Sequence, residues 1–548
     1  MSDKLDKVIA CHEATKHHYH AYAPGPGMLD WASQPDPFRR YAGTELLHLD
    51  KYPFTDGPSY EQALIEGRVE PATLTRETVS RLLYDSMALS AWKQAGGNRW
   101  ALRVNPSSGN LHPTEVYVIS GPVAGLLDVP AVCHYAPKLH ALEVRARFAI
   151  ETWRDLVAGL PPQTIIIGLS SIYWREAWKY GARAFRYCQH DAGHAIAAVG
   201  FAAAALGWKT MLLDDLGDEA IAGMLGLPRG HEPEAERPEC LLAVYSQAHA
   251  CDVRTLPHAT MTVMAGNEWH GTPNVLSPSH RPWPIIDEAD AATRKPDTVT
   301  PYIGSTSPEP VEPAPIDATV LLRRLIHQRR SAVAMDGHTG LLATGFYSML
   351  SRCLPGMKRF PFNALPWPPV VHLLLFVHRV QDVPPGLYLL VRDPAQAKDL
   401  QEKFDKEFEW ARPDGCPEDL SLYRLAGGDC RKLAERVSCH QEIAADGVFA
   451  VGMLAGFESP LKTCGPWFYR RLYWECGVIG QLLYLEAEAY GIQATGIGCF
   501  FDDPVHELLG LRDRSYQSLY HFTVGGAVID TRLTMQPPYP DPGPAQDT

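Results

Sequence analysis

The stretch CQHDAGHAIAAVGFAAAALGWKTMLLDDLGDEAIAGMLGL, residues 188–227, decides how the chain is built. Its centre, AIAAVGFAAAALGWKTMLL at 195–213, approaches the length of a membrane span. It carries Lys209, however, and is made largely of alanine and glycine, which predicts a buried or interface helix instead. The same pattern returns without a gap as LYWECGVIGQLLYLEAEAYGIQATGIGCFFDDPVHELLGL at 472–511. Gly193 pairs with Gly477, Gly207 with Gly491 and Gly226 with Gly510, each at an offset of 284. Three glycines in fixed register with matching apolar spacing mark an internal repeat. Each unit reads as a long apolar helix ending at Gly207 or Gly491, then a strand, then a short helix ending in Leu-Gly-Leu.

Working outward, Thr164–Gly168, Val370–Val377 and Phe449–Met453 read as buried strands, and residues 141–159 and 395–409 as helices. Both halves thus mix a sheet with helices. The pattern predicts an α+β unit duplicated in tandem, forming a pseudo-dimer within one chain. The boundaries are an N-terminal domain with an extension over 1–266, a proline-rich extended linker over 267–320, a C-terminal domain over 321–535 and a flexible tail over 536–548. Two unrelated α/β domains are the alternative.

The composition excludes several function classes. A net charge of -13 and a pI near 5.9 argue against nucleic acid or an anionic membrane as partner. The twelve cysteines include no CxxC pair, and the opening MSDKLDK offers no apolar export segment, which together suggest reduced thiols and a cytoplasmic location. His12, His17, His18 and His20 have awkward spacing for a metal on one helix face. Asp191 and His194, three apart on the long helix, read as a hydrogen-bonded pair. Cys464, Cys476 and Cys499 read as buried thiols with no activating arrangement.

The loop NPSSGNLHP, 105–113, lies between a helical segment and the strand-like EVYVI at 115–119. Ser107 and Ser108 offer hydroxyls, Gly109 frees the backbone, and Asn110 presents an amide and a carbonyl; a cap followed by a turn is the plainer alternative. With this loop, Thr15–His17, Leu29–Trp31, Gln34–Phe38, Arg103, Lys179-Tyr180, Arg186-Tyr187, Asp191–His194, Pro385–Tyr388 and Gly525-Gly526 to Arg532, the chain resembles the flavin-dependent nitroreductase superfamily, and within it the SagB-type dehydrogenases. Characterised members of that group oxidise azolines in modified peptides.

The resemblance implies two nitroreductase-like domains that bind FMN at their mutual interface. Arg329-Arg330-Ser331, expected at a helix start, would clamp the phosphate, with Arg532 returning from the C-terminus. Ser107, Ser108, Gly109 and Asn110, with Arg103, would cover the flavin from the other domain. Gly496-Ile497-Gly498 would let backbone approach the ring. Only one Arg-Arg-Ser and one Ser-Ser-Gly-Asn occur, and the matching MKRFPFNALPWPPV of the second half has no Ser-Ser-Gly, so one FMN per chain is expected and the second site should be degenerate.

Lys179 and Tyr180 resemble a lysine–tyrosine pair implicated in azoline oxidation, where a base must take a carbon-bound proton while hydride leaves to flavin N5. Arg183 and Arg186 would receive an anionic substrate group. An amphipathic helix with solvated cations is the alternative for that segment. The expected activity is therefore an FMN oxidoreductase acting on a small or peptide-derived heterocycle, working beside a pathway partner protein, with higher oligomers of the pseudo-dimer allowed. The competing functions are an NAD(P)H-dependent nitro or quinone reductase, with nicotinamide as transient reductant, and a non-catalytic flavin- or partner-binding scaffold.

Overall fold

Every pairing within the two large sheets is antiparallel, and the sheets share one strand order. The computed structural model describes residues 2–228, 230, 232–298, 315–356 and 359–539. In the first half seven strands run in the order Glu45–His48, Ala141–Arg147, Ala131–Ala136, Thr114–Ser120, Ile165–Ile172, Glu236–Ser246, Trp208–Leu212. In the second half six run Leu422–Gly427, Gly386–Leu390, Val371–Val377, Phe449–Gly456, Tyr516–Gly525, Gln493–Ile497. Apart from the first half's edge strand, the two sheets match position for position, and the α+β tandem duplication holds throughout.

The long helices are Ala184–Ala204 and Phe468–Ala489. Neither has an exposed face, because each packs on its own sheet and on the other helix. Among the described residues no helix is long and apolar enough to cross a membrane. One hydrophobic cluster runs through both halves, while two smaller clusters fill the outer face of each sheet.

The two helices cross backbone to backbone. A Cβ on Gly193 would lie 2.3 Å from the Trp474 carbonyl oxygen, and one on Gly477 would lie 2.3 Å from that of His190. Trp474 and His190 are themselves 284 residues apart, so the two contacts are images of each other. A second reciprocal contact joins the domains at Ser59 and Leu321, the N-caps of the helices Tyr60–Leu64 and Leu322–Gln328. There Tyr60 N–H donates to Val320 O at 2.8 Å and Leu322 N–H to Pro58 O at 3.2 Å.

Ion pairs repeat the symmetry. Arg186 donates to Asp502 across the interface at 2.7 Å, and its counterpart Arg470 pairs with Asp218, the counterpart of Asp502. All four side chains are buried. Arg183 joins the first pair, donating to Asp502 at 2.9 Å and to Thr15 O at 2.7 Å. The carboxyl of Asp502, despite its burial, is held far below the usual carboxylate range by these two guanidiniums.

Some local expectations give way to tertiary context. Residues 141–147 form a strand and only Ile150–Leu156 is helical, because the apolar spacing of ALEVRAR also suits a sheet buried on both faces. The segment before the 105–113 loop is a hairpin, Leu89–Ala95 with Asn98–Arg103, not a helix. Within the expected extended linker, Pro284–Thr293 is a helix that packs on the N-terminal helix Ser2–Ala14 and buries Ile286, Ala289 and Ala292. Residues 299–314 of that linker lie outside the described residues. The expected flexible tail is docked as far as 539: Thr534–Gln536 pairs with Leu89–Ala95, and the Tyr539 hydroxyl accepts from Leu89 N–H at 3.1 Å and donates to Pro137 O at 2.6 Å. Residues 540–548 lie outside the described residues.

Replacing Gly193 by Ala drives a methyl group into the facing backbone, which cannot rotate away as a side chain can. We expect G193A or G477A to lose about 3 kcal/mol of stability in urea unfolding, the upper end of what overpacking costs. Alanine at Gly491, where nothing lies within 4 Å of the added Cβ, costs only its positive-φ strain, about 1 kcal/mol.

Candidate functional site

A cavity of about 370 Å³ opens between the two halves, lined from the first by the hairpin, the 105–112 loop and the long helix, and from the second by residues 329–331 and 495–499. Of the residues singled out from sequence, Arg103, Ser107, Ser108, Gly109, Asn110, Tyr180, Arg329, Arg330, Ser331, Gly496, Ile497 and Gly498 line it together. Lys179 stands beside the loop tip, its Nζ 3.0 Å from where a Cβ of Gly109 would be; the Tyr180 hydroxyl is 2.6 Å from the same point. Gly109 has φ +58°, so that position requires glycine for its backbone and for its space.

The loop is held from several sides. Asp191 accepts from Ser108 N–H at 3.1 Å and from its hydroxyl at 3.2 Å. The Ser107 hydroxyl accepts from His112 N–H at 2.8 Å, and buried Arg175 donates to His112 O at 2.7 Å. Asn110, expected to present its amide to a ligand, spends it on the loop instead: Nδ2 donates to Ala101 O at 2.9 Å and Oδ1 meets His112 Nε2 at 3.0 Å. Asn105 takes the open role, with a buried Oδ1 that has no partner.

Arg329-Arg330-Ser331 does not start a helix. It follows the end of Leu322–Gln328 in extended conformation, where Ser331 and Ala332 run beside Ala494. The Tyr484 hydroxyl accepts from Gly496 N–H at 3.0 Å and lies 2.9 Å from the Ser331 hydroxyl, fastening the segment to the strand Gln493–Ile497. Arg329 reaches back into the first half, donating to Val104 O at 3.1 Å and Arg103 O at 3.2 Å.

Charge at this end of the cavity is one-sided. Among the described residues no ion pair involves Arg103, Arg329 or Arg330, and Lys93 lines the same wall. Burial lowers Arg103 and Arg330 to about 10 and brings Lys93 down too, aided for Lys93 by the neighbouring arginines. The arginines remain charged at neutral pH. The Nε atoms of Arg103 and Arg330 are buried without partners. Two buried and two half-buried cations, none in a direct ion pair among the described residues and two with an open Nε donor, suit an anion, here through guanidiniums without a helix N-terminus.

The glycines of 496–498 are required by their neighbours on the protein side. A Cβ on Gly496 would lie 2.0 Å from the Tyr520 hydroxyl, and one on Gly498 2.0 Å from the Tyr187 ring. Tyrosines thus already fill the space a side chain would need, leaving the peptide edges toward the cavity. His194 holds Tyr520 at 3.3 Å and Gln481 at 3.3 Å; it does not pair with Asp191.

Three of the expected residues lie outside the cavity lining. Arg183 and Arg186 are committed to Asp502 and Thr15 and do not line the cavity, so the anionic-substrate role gives way to an interdomain one. Arg183 does touch the site indirectly, donating to Gly498 O at 3.3 Å. Arg532 is exposed, pairs with Asp530 at 2.8 Å and does not line the cavity.

The reading from sequence missed Tyr187, Asp191 as a loop anchor, Tyr484, Tyr520 and Cys499. A signal existed for Asp191: an acid inside a nearly all-apolar helix, matched by Glu475 in the repeat, is seldom buried without a task. Its carboxyl, pushed up to about 7 by burial, carries no ion pair among the described residues. Glu475 by contrast is paired with Arg392 and accepts from Trp367 Nε1 and the Val370 and Val371 N–H groups. At the mirror position Asp214 and Arg471, counterparts of Gly498 and Tyr187, pair at 2.7 Å. The counterpart positions thus hold ion pairs where the first set lines a cavity.

Because the folded chain holds the Asp191 proton more tightly than the unfolded one, this group favours folding below about pH 4, and that contribution is lost as pH rises to about 7. In the cofactor-free chain, D191N should flatten this fall, which amounts to about 4 kcal/mol at most. Urea midpoints of both proteins at pH 5 and 7.5 measure it; parallel profiles would mean that Asp191 is ionised in the folded state.

Comparison with known proteins agrees with this architecture. The Nitroreductase family profile matches residues 70–244 and 434–526, covering segments of both halves. A provisionally named nitroreductase of Methanocaldococcus jannaschii is 29% identical over 126 residues, which cover 22% of this chain; the chain spans 62% of that relative's length. A solved structure described as a nitroreductase of Anabaena variabilis aligns over 95% of this chain and 99% of its own, with a TM-score of 0.71 and 22% identity. Another, from Ralstonia eutropha, is 16% identical and covers 42% of this chain and 100% of its own, with a TM-score of 0.26. The chain has the nitroreductase-like fold, with its two copies in one polypeptide.

Proposed function

We propose that this nitroreductase-fold chain is an FMN-dependent oxidoreductase with one working site, formed across its internal two-fold, that acts as a dehydrogenase of the SagB type on a heterocycle carried by a peptide. The observation that carries the reading is the cluster of buried and half-buried cations, none in a direct ion pair among the described residues, at one end of a cavity whose other walls are peptide edges and hydroxyls. Arg103, Arg329, Arg330 and Lys93 would hold the phosphate, Ser331 would add a hydroxyl, and Asn105, Ser107, Ser108 and the backbone of 496–498 would face the ring system. The flavin, when bound, supplies a two-electron hydride acceptor.

The chain's own task is then to position substrate and move a proton. Lys179 and Tyr180 stand together at the loop tip, with the Lys179 Nζ 5.3 Å from the centre of the Tyr180 ring. Burial holds the Tyr180 phenol well above its ordinary value, so it stays protonated and can orient a substrate heteroatom. The Lys179 amine, at the same rim, is the group placed to take a carbon-bound proton from a substrate lying there.

Two measurements test the reading. Released cofactor should amount to about one FMN per chain, and R329Q/R330Q should weaken FMN binding by roughly 100-fold or more, since each charge-assisted contact contributes about 1.5–3 kcal/mol. K179A and Y180F should retain FMN yet slow oxidation of a model azoline peptide by about 10²-fold or more. Rapid bleaching of the flavin by NADH or NADPH, with no azoline oxidation, would assign the site to a nitro or quinone reductase. Two FMN per chain would overturn the single-site reading.

A further inference from the structure

Two thiols from separate segments meet at the edge of the cavity. Cys439 follows the short helix Arg431–Val437, and Cys499 follows the strand Gln493–Ile497 and lines the cavity itself. Their thiol groups interact directly, and both residues are half-buried. The segments are tied together by Gln441, whose Nε2 donates to Ser438 O and Cys499 O, both at 2.9 Å. Cys439 and His440 adopt φ +55° and +57°, consecutive left-handed residues that are costly for side chains of this size and persist only where the surroundings impose them.

The surroundings of the pair suit exchange chemistry. His17 Nδ1 accepts from Ala23 N–H at 2.8 Å, so a neutral ring carries its proton on Nε2. His17 also hydrogen-bonds Cys499, and the Arg183 guanidinium lies near both thiols. Tyr22 hydrogen-bonds Cys439, with Tyr187, Tyr180 and Asp502 as the other titratable neighbours. The contact with Cys439 draws the Cys499 thiol down, with help from His17, and the same contact raises Cys439. One sulfur is thereby disposed toward the thiolate while its neighbour keeps its proton. Cys133, Cys188, Cys240, Cys353 and Cys476, by contrast, are fully buried and pushed up by burial. The repeat sharpens the contrast, because the counterpart of Cys499 in the second site is Asp215.

We propose that Cys439 and Cys499 are a redox-active dithiol at the rim of the cavity, exchanging two electrons with small-molecule disulfides. The Cys499 thiolate attacks one sulfur of the disulfide, forming a mixed disulfide and expelling one thiolate. Cys439 gives up its proton and attacks the Cys499 sulfur, which expels the second thiolate. The two protein thiols are oxidised to one disulfide, the small disulfide is reduced to two thiols, and no other oxidant is required.

The test uses the full chain as purified, equilibrated with oxidised glutathione, acid-quenched and read by intact mass and peptide mapping. We expect loss of two hydrogens and a Cys439–Cys499 cross-linked peptide. C439S should instead trap one glutathione on Cys499, and C499S should abolish the cross-link. With iodoacetamide at neutral pH, Cys499 should react at least roughly tenfold faster than the half-buried Cys251. Thermal melts of both serine variants confirm folding, and C499A serves if C499S fails to fold. Preferential reaction of Cys251, Cys416 or Cys464 with no Cys439–Cys499 link, or failure of folded C439S to trap glutathione, would overturn the proposal.

Discussion

The close crossing of the two long helices at Gly193 and Gly477 sets the geometry of everything else. With neither position able to hold a Cβ, the backbones meet directly, and the two sheets are brought to a fixed spacing on either side. That spacing lets Arg186 reach Asp502 and Arg470 reach Asp218, each pair buried between domains. Such pairs cost much to desolvate, and removing one partner leaves a buried charge. They therefore fix register more than they add stability, and the cavity inherits that register because Arg183, on the same Asp502, also holds the carbonyl of Gly498.

The same two-fold frame is finished differently at its two ends. Where one end has Tyr187, Asp191 and Gly498, the other has Arg471, Glu475 and Asp214. Asp for Gly at 214 and Arg for Tyr at 471 put an ion pair where, at the other end, the Tyr187 ring packs against Gly498. Glu475 reaches further than Asp191 would and is met by Arg392, so the loop before Val371–Val377 is fastened by a neutralised carboxylate. The shorter Asp191, without a cation, fastens the 105–112 loop while leaving room beside it.

Much of this was legible in the sequence because duplication writes each constraint twice. The glycine register disclosed the helix crossing, and Pro106–Asn110 with Arg329–Ser331 disclosed the two sides of the cavity. What stayed hidden depended on distance in the fold. Arg183 and Arg186 look available on a helix until Asp502 arrives from more than three hundred residues away. Asn110 looks like a ligand group until its φ of +59° turns its amide onto Ala101. Residues 141–147 carry an apolar pattern that only the neighbouring strands resolve. Cys499 shows nothing in sequence, since its partner Cys439 sits on another segment.

A homodimer must use one sequence at both of its symmetric sites, so any residue that closes one closes both. Joining the copies removes that restriction. The Asp214–Arg471 pair could not exist in a symmetric dimer that also kept Gly498 beneath Tyr187, because the same two positions would have to hold both an ion pair and a glycine under a tyrosine ring. The end with the cavity keeps guanidiniums outside any ion pair among the described residues and unpartnered polar atoms, which weaken the fold when nothing is bound. The cost of leaving these groups unsatisfied is thus carried at one end of the molecule, while at the other the counterpart residues satisfy one another.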